Sequence, residues 1–301
     1  MCKEVFHGVA TALITPFEPS GAVNYSVLDE LIRFQIRNHA DALVLCGTTG
    51  ECATLSEKEK TLVFSRAVRS SGGRVPVIAG IGSNDTDKTV SLAQKAEQCG
   101  VDALLAVTPY YNKTTQRGAV QHFTAVAESV GIPLILYNVP SRTGFDLSVE
   151  TIARLAEIPG ISGIKEACGS MEKITRLRYL CSPGFRIYAG NDADTLPVLA
   201  LGGSGVISVA SNLIPNVVHS LCSAFWSGNL EKAQQLQLQM TPLQQLLFES
   251  VNPINVKALM ELIGFSCGAC RLPLEQLEDG MKAELLMRGK EIMKQFKPYP
   301  A

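Results

Sequence analysis

The sequence predicts an α/β fold, a (β/α)8 or TIM barrel, followed by a C-terminal helical extension. Eight short apolar segments recur along the first two-thirds of the chain, and the gaps between them show helical periodicity. Strands that alternate with helices pair in parallel, and strands that are apolar throughout are buried on both faces. Eight such units close a barrel. An open doubly wound sheet is the alternative, but it usually carries a GxGxxG turn after its first strand, and this chain has none there.

The predicted elements follow one another in regular alternation. The strands cover residues 9–15, 42–46, 76–79, 103–107, 134–137, 163–165, 186–189 and 205–209. The clearest helical segments between them cover residues 25–39, 56–70, 86–98, 119–129 and 148–155. Ser56 with Glu59 forms a capping box, and Asp85 and Ser148 are residue types preferred at helix N-caps.

The last part of the chain is rich in helical patterns and poor in strands. Helix-like segments cover residues 212–223, 230–250, 256–263 and 274–295. We therefore predict a barrel with the active site over residues 1–223 and a helical region over residues 224–301. No linker rich in Pro, Gly or Ser separates the two, so we expect the helical region to pack tightly on the barrel.

Composition excludes several classes of protein. Of 301 residues, 46% are hydrophobic and 18% are charged, which is enough apolar material for a packed core. The net charge of −1 makes nucleic acid an improbable partner. The apolar runs are too short to span a membrane, and the N-terminus lacks the apolar core of a secretory signal. The nine cysteines, an odd number, predict reduced thiols in the cytoplasm.

Metal binding is not predicted. Cys267 and Cys270 form a single CxxC with no second pair and no histidine at zinc-ligand spacing. The four histidines are far apart in sequence, and none forms an HxH or HxxxH pair.

Lys165 is the residue on which the functional prediction depends. In a (β/α)8 barrel the reacting groups lie at the carboxyl ends of the strands, and Lys165 ends the apolar run 161–164. Burial would lower the pKa of its amine, and a neutral amine can attack a ketone to form a Schiff base. The alternative is a lysine paired with a carboxylate such as Glu166. That neighbour should face away, because side chains alternate along a strand.

Hydroxyl groups and an arginine occur at other strand ends. Thr49, Tyr111 and Tyr137 could move protons during imine formation. Arg142 could bind a carboxylate through two parallel hydrogen bonds. Each of these residues could instead have an ordinary structural role at the rim of the barrel.

Phosphate binding is disfavoured. The glycine-rich run 202–205 precedes the eighth predicted strand, which places it at the end of the barrel opposite the active face. The loop after the seventh strand carries Asp192 and Asp194, whose charges would repel a phosphate.

Six motifs carry a family resemblance. In order along the chain they are GTTGE, TPYYN, YNVPSRTG, GIKEA, AGNDA and GGSGVISV, and the likeness extends from about Gly8 to Leu274. Together they resemble the dihydrodipicolinate synthases, which belong to the pyruvate-dependent class I aldolase family that also contains N-acetylneuraminate lyase. The resemblance implies a barrel with C-terminal helices, assembled as a homotetramer (a dimer of dimers).

The resemblance also implies a role for each matching residue. Lys165 matches the lysine that forms the pyruvate imine, and Tyr137 matches the general acid and base. Thr49 and Tyr111 match its partners in a proton relay, with the tyrosine reaching in from a neighbouring subunit. The remaining matches are Thr48 as a threonine that helps to hold pyruvate, Gly190 and Ile207 as contacts to the keto acid, and Arg142 as the arginine for the second substrate's carboxylate.

The implied reaction condenses pyruvate with L-aspartate 4-semialdehyde to give 4-hydroxy-tetrahydrodipicolinate, on the route to diaminopimelate and lysine. It needs no metal or organic cofactor, because the covalent pyruvate imine on Lys165 supplies the electron sink. Two alternatives stay open: a sister aldolase that acts on another aldehyde, and a catalytically silent keto-acid sensor. Arg142 and the double threonine favour the synthase.

The resemblance is weaker at the cleft where some members of the family bind lysine as an inhibitor. Tyr110, Asn84 and Ala53 fit that cleft. Glu57 and Lys60 stand where lysine-sensitive members often carry histidines, and Lys88 replaces a carboxylate that holds the amine of the inhibitor. Like charges disfavour binding, so we predict weak or absent inhibition by lysine.

Overall fold

The centre of the molecule is a closed barrel of eight parallel strands in sequential order, seen in a computed structural model that describes residues 4–296. The strands are β1 (Gly8–Ala12), β2 (Ala42–Leu45), β3 (Val77–Gly80), β4 (Ala103–Val107), β5 (Leu134–Asn138), β6 (Ile161–Glu166), β7 (Arg186–Ala189) and β8 (Gly205–Ser208). Each strand pairs with its sequence neighbour, and β8 pairs with β1 to close the ring. The predicted fold class is confirmed. Residues 1–3 and 297–301, which the predicted domain ranges include, lie outside the described residues.

Helices surround this barrel and extend beyond it. They are α1 (Tyr25–Arg37), α2 (Glu57–Ser71), α3 (Thr86–Gln98), α4 (Gln116–Glu128), α5 (Pro140–Thr143), α6 (Val149–Ala156), α7 (Met171–Leu180), α8 (Thr195–Ala200), α9 (Pro215–Trp226), α10 (Leu230–Phe248), α11 (Ile254–Leu259) and α12 (Asp279–Met293). Short 3-10 turns cover residues 192–194, 210–212, 260–263 and 294–296. The capping box of Ser56 and Glu59 is present, and the side chains of Asp85 and Ser148 cap α3 and α6 as predicted.

The amino end of the barrel is closed by two aromatic rings. Phe6, just before β1, stacks on Tyr188 of β7 with ring centroids 4.2 Å apart. The Tyr188 hydroxyl donates a hydrogen bond to the Phe6 carbonyl oxygen at 2.9 Å. Both rings are buried in the apolar barrel interior, which also contains small residues such as Ala10 and Ala42. Open space inside the barrel therefore lies toward the carboxyl ends of the strands.

Among the boundaries that differ from the prediction, the end of β1 and the start of α9 are explained by one side chain, that of Asn212. Strand β1 ends at Ala12 and not at residue 15, because the Ile14 amide donates to Asn212 Oδ1 at 3.1 Å and leaves the sheet. Asn212 also donates to the Ala12 carbonyl oxygen at 2.9 Å. It is therefore held against β1, in a 3-10 turn, and α9 begins three residues later at Pro215.

The C-terminal helices pack on the barrel and on its loops. Helix α10 contacts α8 and α9, and α9 contacts β1. Gln237 of α10 accepts from the Leu196 amide at 3.1 Å and donates to the Asp192 carbonyl oxygen at 3.2 Å. Residue 223, where the predicted barrel range ends, lies within α9. Across residues 4–296, none of the helices combines the length and the apolar character that a bilayer-spanning helix requires.

Candidate active site

A cavity of about 210 Å³ lies at the carboxyl ends of the barrel strands. Six of the eight residues that the sequence predicts for the site line it: Thr48, Thr49, Tyr137, Arg142, Lys165 and Gly190. They come from the ends of β2, β5, β6 and β7, or from the loops that follow these strands. Barrel topology thus brings together side chains that are far apart in the sequence.

Lys165 lies in the wall of the cavity, on β6. Its register partner on β5 is Tyr137, so the two side chains leave the sheet on the same face. The Lys165 Nζ atom lies 4.4 Å from the centroid of the Tyr137 ring. Lys165 is buried and, within residues 4–296, makes no ion pair shorter than 4.0 Å. The amine is therefore held against an aromatic face and not against an acid.

Burial lowers the pKa of Lys165 from 10.5 to about 8. The negative charge of Asp192 opposes this shift, and the positive charge of Arg142 adds to it. With this pKa about one amine in ten is neutral at pH 7, against about one in three thousand at the ordinary value. The lowered pKa supplies the nucleophilic form that Schiff-base chemistry requires.

Glu166 faces the opposite side of β6, as strand alternation predicts. Its carboxylate accepts from Asn138 Nδ2 at 2.8 and 3.1 Å and from the Cys168 amide at 3.0 Å. Its salt bridge is to Lys173, with Nζ and Oε2 3.3 Å apart. Pairing between Lys165 and Glu166, the alternative that the sequence leaves open, does not occur.

Asp192 is buried on the far side of the cavity wall and is oriented by the segment after β8. Its carboxylate accepts from the Ser208 hydroxyl and from the amides of Val209 and Ala210, the latter two at 3.0 and 3.1 Å. Burial raises the pKa of this carboxyl, and those hydrogen bonds oppose the rise. The carboxylate places negative charge near the point where a phosphate would have to bind. The glycine run 202–205 leads into β8 at the opposite end, as the sequence predicts.

Tyr137 brings a hydroxyl into the cavity. The residue is 7% exposed, and burial raises the pKa of its phenol, while a hydrogen bond with Thr48 opposes the rise. The phenol is therefore protonated at neutral pH and can donate a proton. Thr48, and not Thr49, is thus the threonine that hydrogen-bonds to Tyr137 beside Lys165, whereas the Thr49 hydroxyl accepts from Asn252.

The turn after β2 presents Thr48 and Thr49. Cys46 and Glu51 at its two ends have left-handed backbones, with φ of 53° and 55°. A Cβ atom at Gly50 would crowd the backbone, because it would lie 3.0 Å from the Cys46 amide nitrogen and 3.1 Å from the Leu13 carbonyl oxygen. Its carbonyl oxygen accepts from the Thr15 hydroxyl at 2.7 Å. These contacts fix the two threonines at the rim of the cavity.

Arg142 and Gly190 are the remaining predicted residues that line the cavity. Arg142 follows Pro140 in the short helix α5, and its exposed side chain makes no ion pair shorter than 4.0 Å with any described residue. Its guanidinium is thus available to an anion at the mouth of the cavity. Gly190 lies against β6, where a Cβ atom would come within 2.5 Å of the Ala167 Cβ atom. A side chain at this position would close part of the cavity.

Two predicted site residues do not line the cavity of their own chain. Tyr111 is 91% exposed on the loop between β4 and α4, with a left-handed backbone at φ 67°. Ile207 is fully buried in the barrel interior, in the same apolar cluster as Tyr137. Within one chain, therefore, Tyr111 does not reach Lys165, and Ile207 supports the cavity from below.

Sequence reasoning gives no indication of the part of the cavity wall that Phe248 and Asn252 supply. Both belong to the C-terminal region, at the end of α10 and in the loop after it. Asn252 donates from Nδ2 to the Thr49 hydroxyl oxygen at 2.9 Å. The Asn-Pro pair at 252–253 indicates a loop, but no local pattern indicates that this loop reaches the barrel mouth.

The described residues contain no cluster of three or more His, Cys, Asp or Glu side chains that could hold a metal ion. The arrangement offers instead a lysine of lowered pKa, three hydroxyl groups and a free guanidinium around one small cavity. Such a set can form an imine with a keto acid and bind a second anion beside it.

Comparison with known proteins gives consistent matches over nearly the whole chain. A model of the dihydrodipicolinate synthetase family matches residues 5–291. The 4-hydroxy-tetrahydrodipicolinate synthase of Acetivibrio thermocellus is 48% identical over 279 residues, which cover 93% of this chain and 94% of that protein. The crystal structure of dihydrodipicolinate synthase DapA-2 of Bacillus anthracis has a TM-score of 0.93 at 38% identity and covers 99% of this chain and 100% of that one. A dihydrodipicolinate synthase described as the first monomeric variant has a TM-score of 0.92 at 39% identity and covers 97% of each chain.

Proposed function

This chain belongs to the dihydrodipicolinate synthetase family, and we propose that it forms a pyruvate imine on Lys165 in the cavity at the barrel mouth. It condenses pyruvate with L-aspartate 4-semialdehyde to give 4-hydroxy-tetrahydrodipicolinate, a step of lysine and diaminopimelate biosynthesis. The observation that carries the assignment of the nucleophile is the buried amine of Lys165, whose pKa of about 8 is set by the apolar wall around it.

The reaction begins at the neutral amine. The Lys165 Nζ atom attacks the keto carbon of pyruvate, and the resulting carbinolamine loses water to form a protonated imine. This imine withdraws electrons, so the methyl group gives up a proton and an enamine forms. The enamine carbon attacks the aldehyde carbon of the semialdehyde, and the new carbon–carbon bond restores the imine. The substrate amine then displaces Lys165 and closes the ring, which regenerates the free lysine without any organic cofactor or metal.

Tyr137 is the general acid and base of this sequence. Its raised pKa keeps the phenol protonated, so it can protonate the departing hydroxyl of the carbinolamine. Thr48 hydrogen-bonds to Tyr137, and Thr49 stands beside it in the same turn. Both threonines hold pyruvate and pass protons. The bound keto acid rests against the backbone of Gly190, with Ile207 beneath it.

Arg142 selects the second substrate. Its guanidinium, which makes no ion pair shorter than 4.0 Å with residues 4–296, stands at the mouth of the cavity that Lys165 lines from the barrel wall. A planar guanidinium binds a carboxylate through two parallel hydrogen bonds, and aspartate semialdehyde carries such a carboxylate at the end of its chain opposite the aldehyde. This geometry favours the synthase over a sister aldolase for an uncharged aldehyde.

Tyr111 acts in the site of a neighbouring subunit, within a homotetramer built as a dimer of dimers. Two observations support this role: the side chain is 91% exposed, and it does not line the cavity that contains Lys165 of its own chain. The protein works in the cytoplasm, where its substrates arise and its thiols stay reduced. All eight cysteines within the described residues are free thiols.

The test is covalent trapping of pyruvate. Incubation with labelled pyruvate and borohydride reduces the imine to a stable secondary amine, which mass spectrometry locates on a peptide. We expect one label per chain on Lys165 and none on Lys165→Ala. Lys173→Ala is the matched control, because Lys173 lies next to β6 but pairs with Glu166 on the other face. Undiminished labelling of Lys165→Ala would end the assignment.

Product detection separates the remaining alternatives. Wild-type protein with pyruvate and aspartate semialdehyde should give the cyclic product. A sister aldolase would form the imine but turn over a different aldehyde. A silent keto-acid sensor would bind pyruvate without consuming any aldehyde.

A further inference from the structure

The C-terminal region contacts the turn that carries Thr48 and Thr49 at two buried points. Asn252 Nδ2 donates to Thr49 Oγ1 at 2.9 Å, and Lys257 Nζ donates to Glu51 Oε1 at 2.7 Å. The four side chains are almost fully buried, none more than 6% exposed. The contacts join residues 203 and 206 positions apart, so they fix the turn against the C-terminal region and do not merely stabilise a local loop.

The Lys257–Glu51 pair anchors this junction. Lys257 also donates to the Ala269 carbonyl oxygen at 3.1 Å and lies 4.1 Å over the centroid of the Phe17 ring. The second oxygen of Glu51 accepts from the Arg271 amide at 2.9 Å. Because both charges are fully engaged, the pair fixes one geometry of the junction, which is the best-established use of such buried pairs. Segment 252–257 therefore stands at a defined distance from the turn.

Burial of the Asn252 side chain costs free energy, and packing alone does not explain why an asparagine stands there. Its amide nitrogen donates to Thr49, but its Oδ1 atom is buried without a hydrogen-bond partner among residues 4–296. A buried carbonyl oxygen without a donor is unfavourable, whereas an apolar side chain of similar size would fill the same space without that penalty. The side chain also lines the cavity that contains Lys165. These facts point to a function for the N–H group that Asn252 directs at Thr49.

The direction of that hydrogen bond determines what the Thr49 hydroxyl can do. A hydroxyl has one hydrogen to donate and two lone pairs that accept. Since Asn252 occupies a lone pair of Thr49, the hydrogen of Thr49 must point elsewhere. Within residues 4–296 no protein acceptor takes it. It is therefore available for donation into the cavity, beside Tyr137 and Lys165.

We propose that Asn252 is a positioning residue for the Thr49 hydroxyl: its amide N–H holds the Thr49 oxygen as an acceptor and leaves the Thr49 hydrogen free to be donated to the keto acid bound in the cavity. This inference rests on the proposed function, because it concerns a hydrogen-bond donor to pyruvate during formation of the imine. It assigns a catalytic consequence to the C-terminal region, which otherwise would serve only to support the barrel.

The test is a double-mutant cycle on the rate of imine formation, measured by rapid mixing with pyruvate and quenching with borohydride. We expect Asn252→Ala to slow imine formation about tenfold, the usual effect of losing one hydrogen bond in an active site. The final extent of labelling at saturating pyruvate should not change, because orientation of a proton donor affects the rate and not the stability of the adduct. In a Thr49→Val background, which lacks the hydroxyl, Asn252→Ala should cost less than twofold.

Two further variants separate positioning from loosening of the segment. Asn252→Asp keeps the shape of the side chain, but a carboxylate cannot donate, so it should lose about as much rate as Asn252→Ala. Asn255→Ala is the matched control, because Asn255 is equally buried in the same segment but donates to the Leu246 carbonyl oxygen, away from the cavity. It should keep the wild-type rate within twofold.

The outcomes are distinct. Additive losses in the Thr49→Val background, a wild-type rate for Asn252→Asp, or an equal loss in Asn255→Ala would each overturn the positioning role. A wild-type protein that forms no pyruvate imine would instead overturn the proposed function itself.

Discussion

Replacing Lys165 with methionine is expected to stabilise the folded protein at neutral pH while it abolishes imine formation. Burial depresses the pKa of Lys165 from 10.5 to about 8, so the folded chain binds this proton more weakly than the unfolded chain does. Each pKa unit corresponds to about 1.4 kcal/mol, so holding the charged amine in the barrel at pH 7 costs about 3 kcal/mol. Methionine has a similar length and no charge, so Lys165→Met should raise the free energy of unfolding by about that amount.

The pH dependence of this gain has a definite sign. Below pH 8 the lysine is protonated in both states, and the full penalty is present. As the pH rises from 8 to 10.5 the folded lysine is neutral while the unfolded one is still charged, so wild-type stability rises and the advantage of methionine shrinks. About 1–2 kcal/mol of the difference should remain at pH 9.5.

Urea unfolding of wild type and variant at pH 7 and pH 9.5, at matched protein concentration, measures both quantities. Lys173→Met is the control, and it should lower stability, because it leaves the buried Glu166 carboxylate without its ion-pair partner. A Lys165→Met protein no more stable than wild type at pH 7, or a gain that does not change with pH, would refute the argument that desolvation sets the pKa of Lys165.

Three other predictions follow from the site. The rate of imine formation should rise with pH through an inflection near pH 8 and then level off. Asp192→Asn should move that inflection to lower pH, because it removes the negative charge that raises the pKa of Lys165. An inflection at the same pH in both proteins would contradict this. Mixed assemblies of Tyr111→Phe and Lys165→Ala chains should regain activity that neither homogeneous protein has, because one chain supplies Lys165 and the other supplies Tyr111 to the same site. No recovery of activity after subunit exchange would count against a role of Tyr111 in the neighbouring subunit. L-Lysine should not inhibit at concentrations below about 1 mM, which corresponds to about 4 kcal/mol of binding. The reason is that the family resemblance implies positions for Lys60 and Lys88 at the cleft where some members bind lysine, and their positive charge would repel the inhibitor. An inhibition curve with a midpoint under that concentration would disprove the prediction.

The barrel is predictable from the sequence because its strands are buried on both faces. A strand such as Ala103–Val107 is apolar at every position, so its place is visible without knowledge of its neighbours. Boundaries are less predictable where a distant side chain competes for the backbone. The amide of Ile14 bonds to Asn212, 198 residues away, and no local pattern indicates that β1 should end before it.

The residues of the candidate site also differ in whether the sequence predicts them, and for the same reason. Lys165, Tyr137 and Arg142 can be predicted because barrel topology sends every strand end to one face. Asn252 cannot, because its contact with Thr49 depends on how α10 and the loop after it return to the barrel. The position of Tyr111 relative to a site is not a property of one chain, so the sequence of that chain supplies the residue but not its geometry.

The stacked rings of Phe6 and Tyr188 close the barrel interior at its amino end. Within residues 4–296 these rings fill the amino end of the barrel interior, so both substrates and the product pass through the mouth at the carboxyl ends of the strands. Pyruvate, whose attachment point Lys165 lies in the barrel wall, must go in ahead of the semialdehyde, and a semialdehyde that arrived first would obstruct it. The shape of the cavity thus sets the order in which the substrates bind. An excess of the semialdehyde should slow the enzyme, because it blocks the entry of pyruvate.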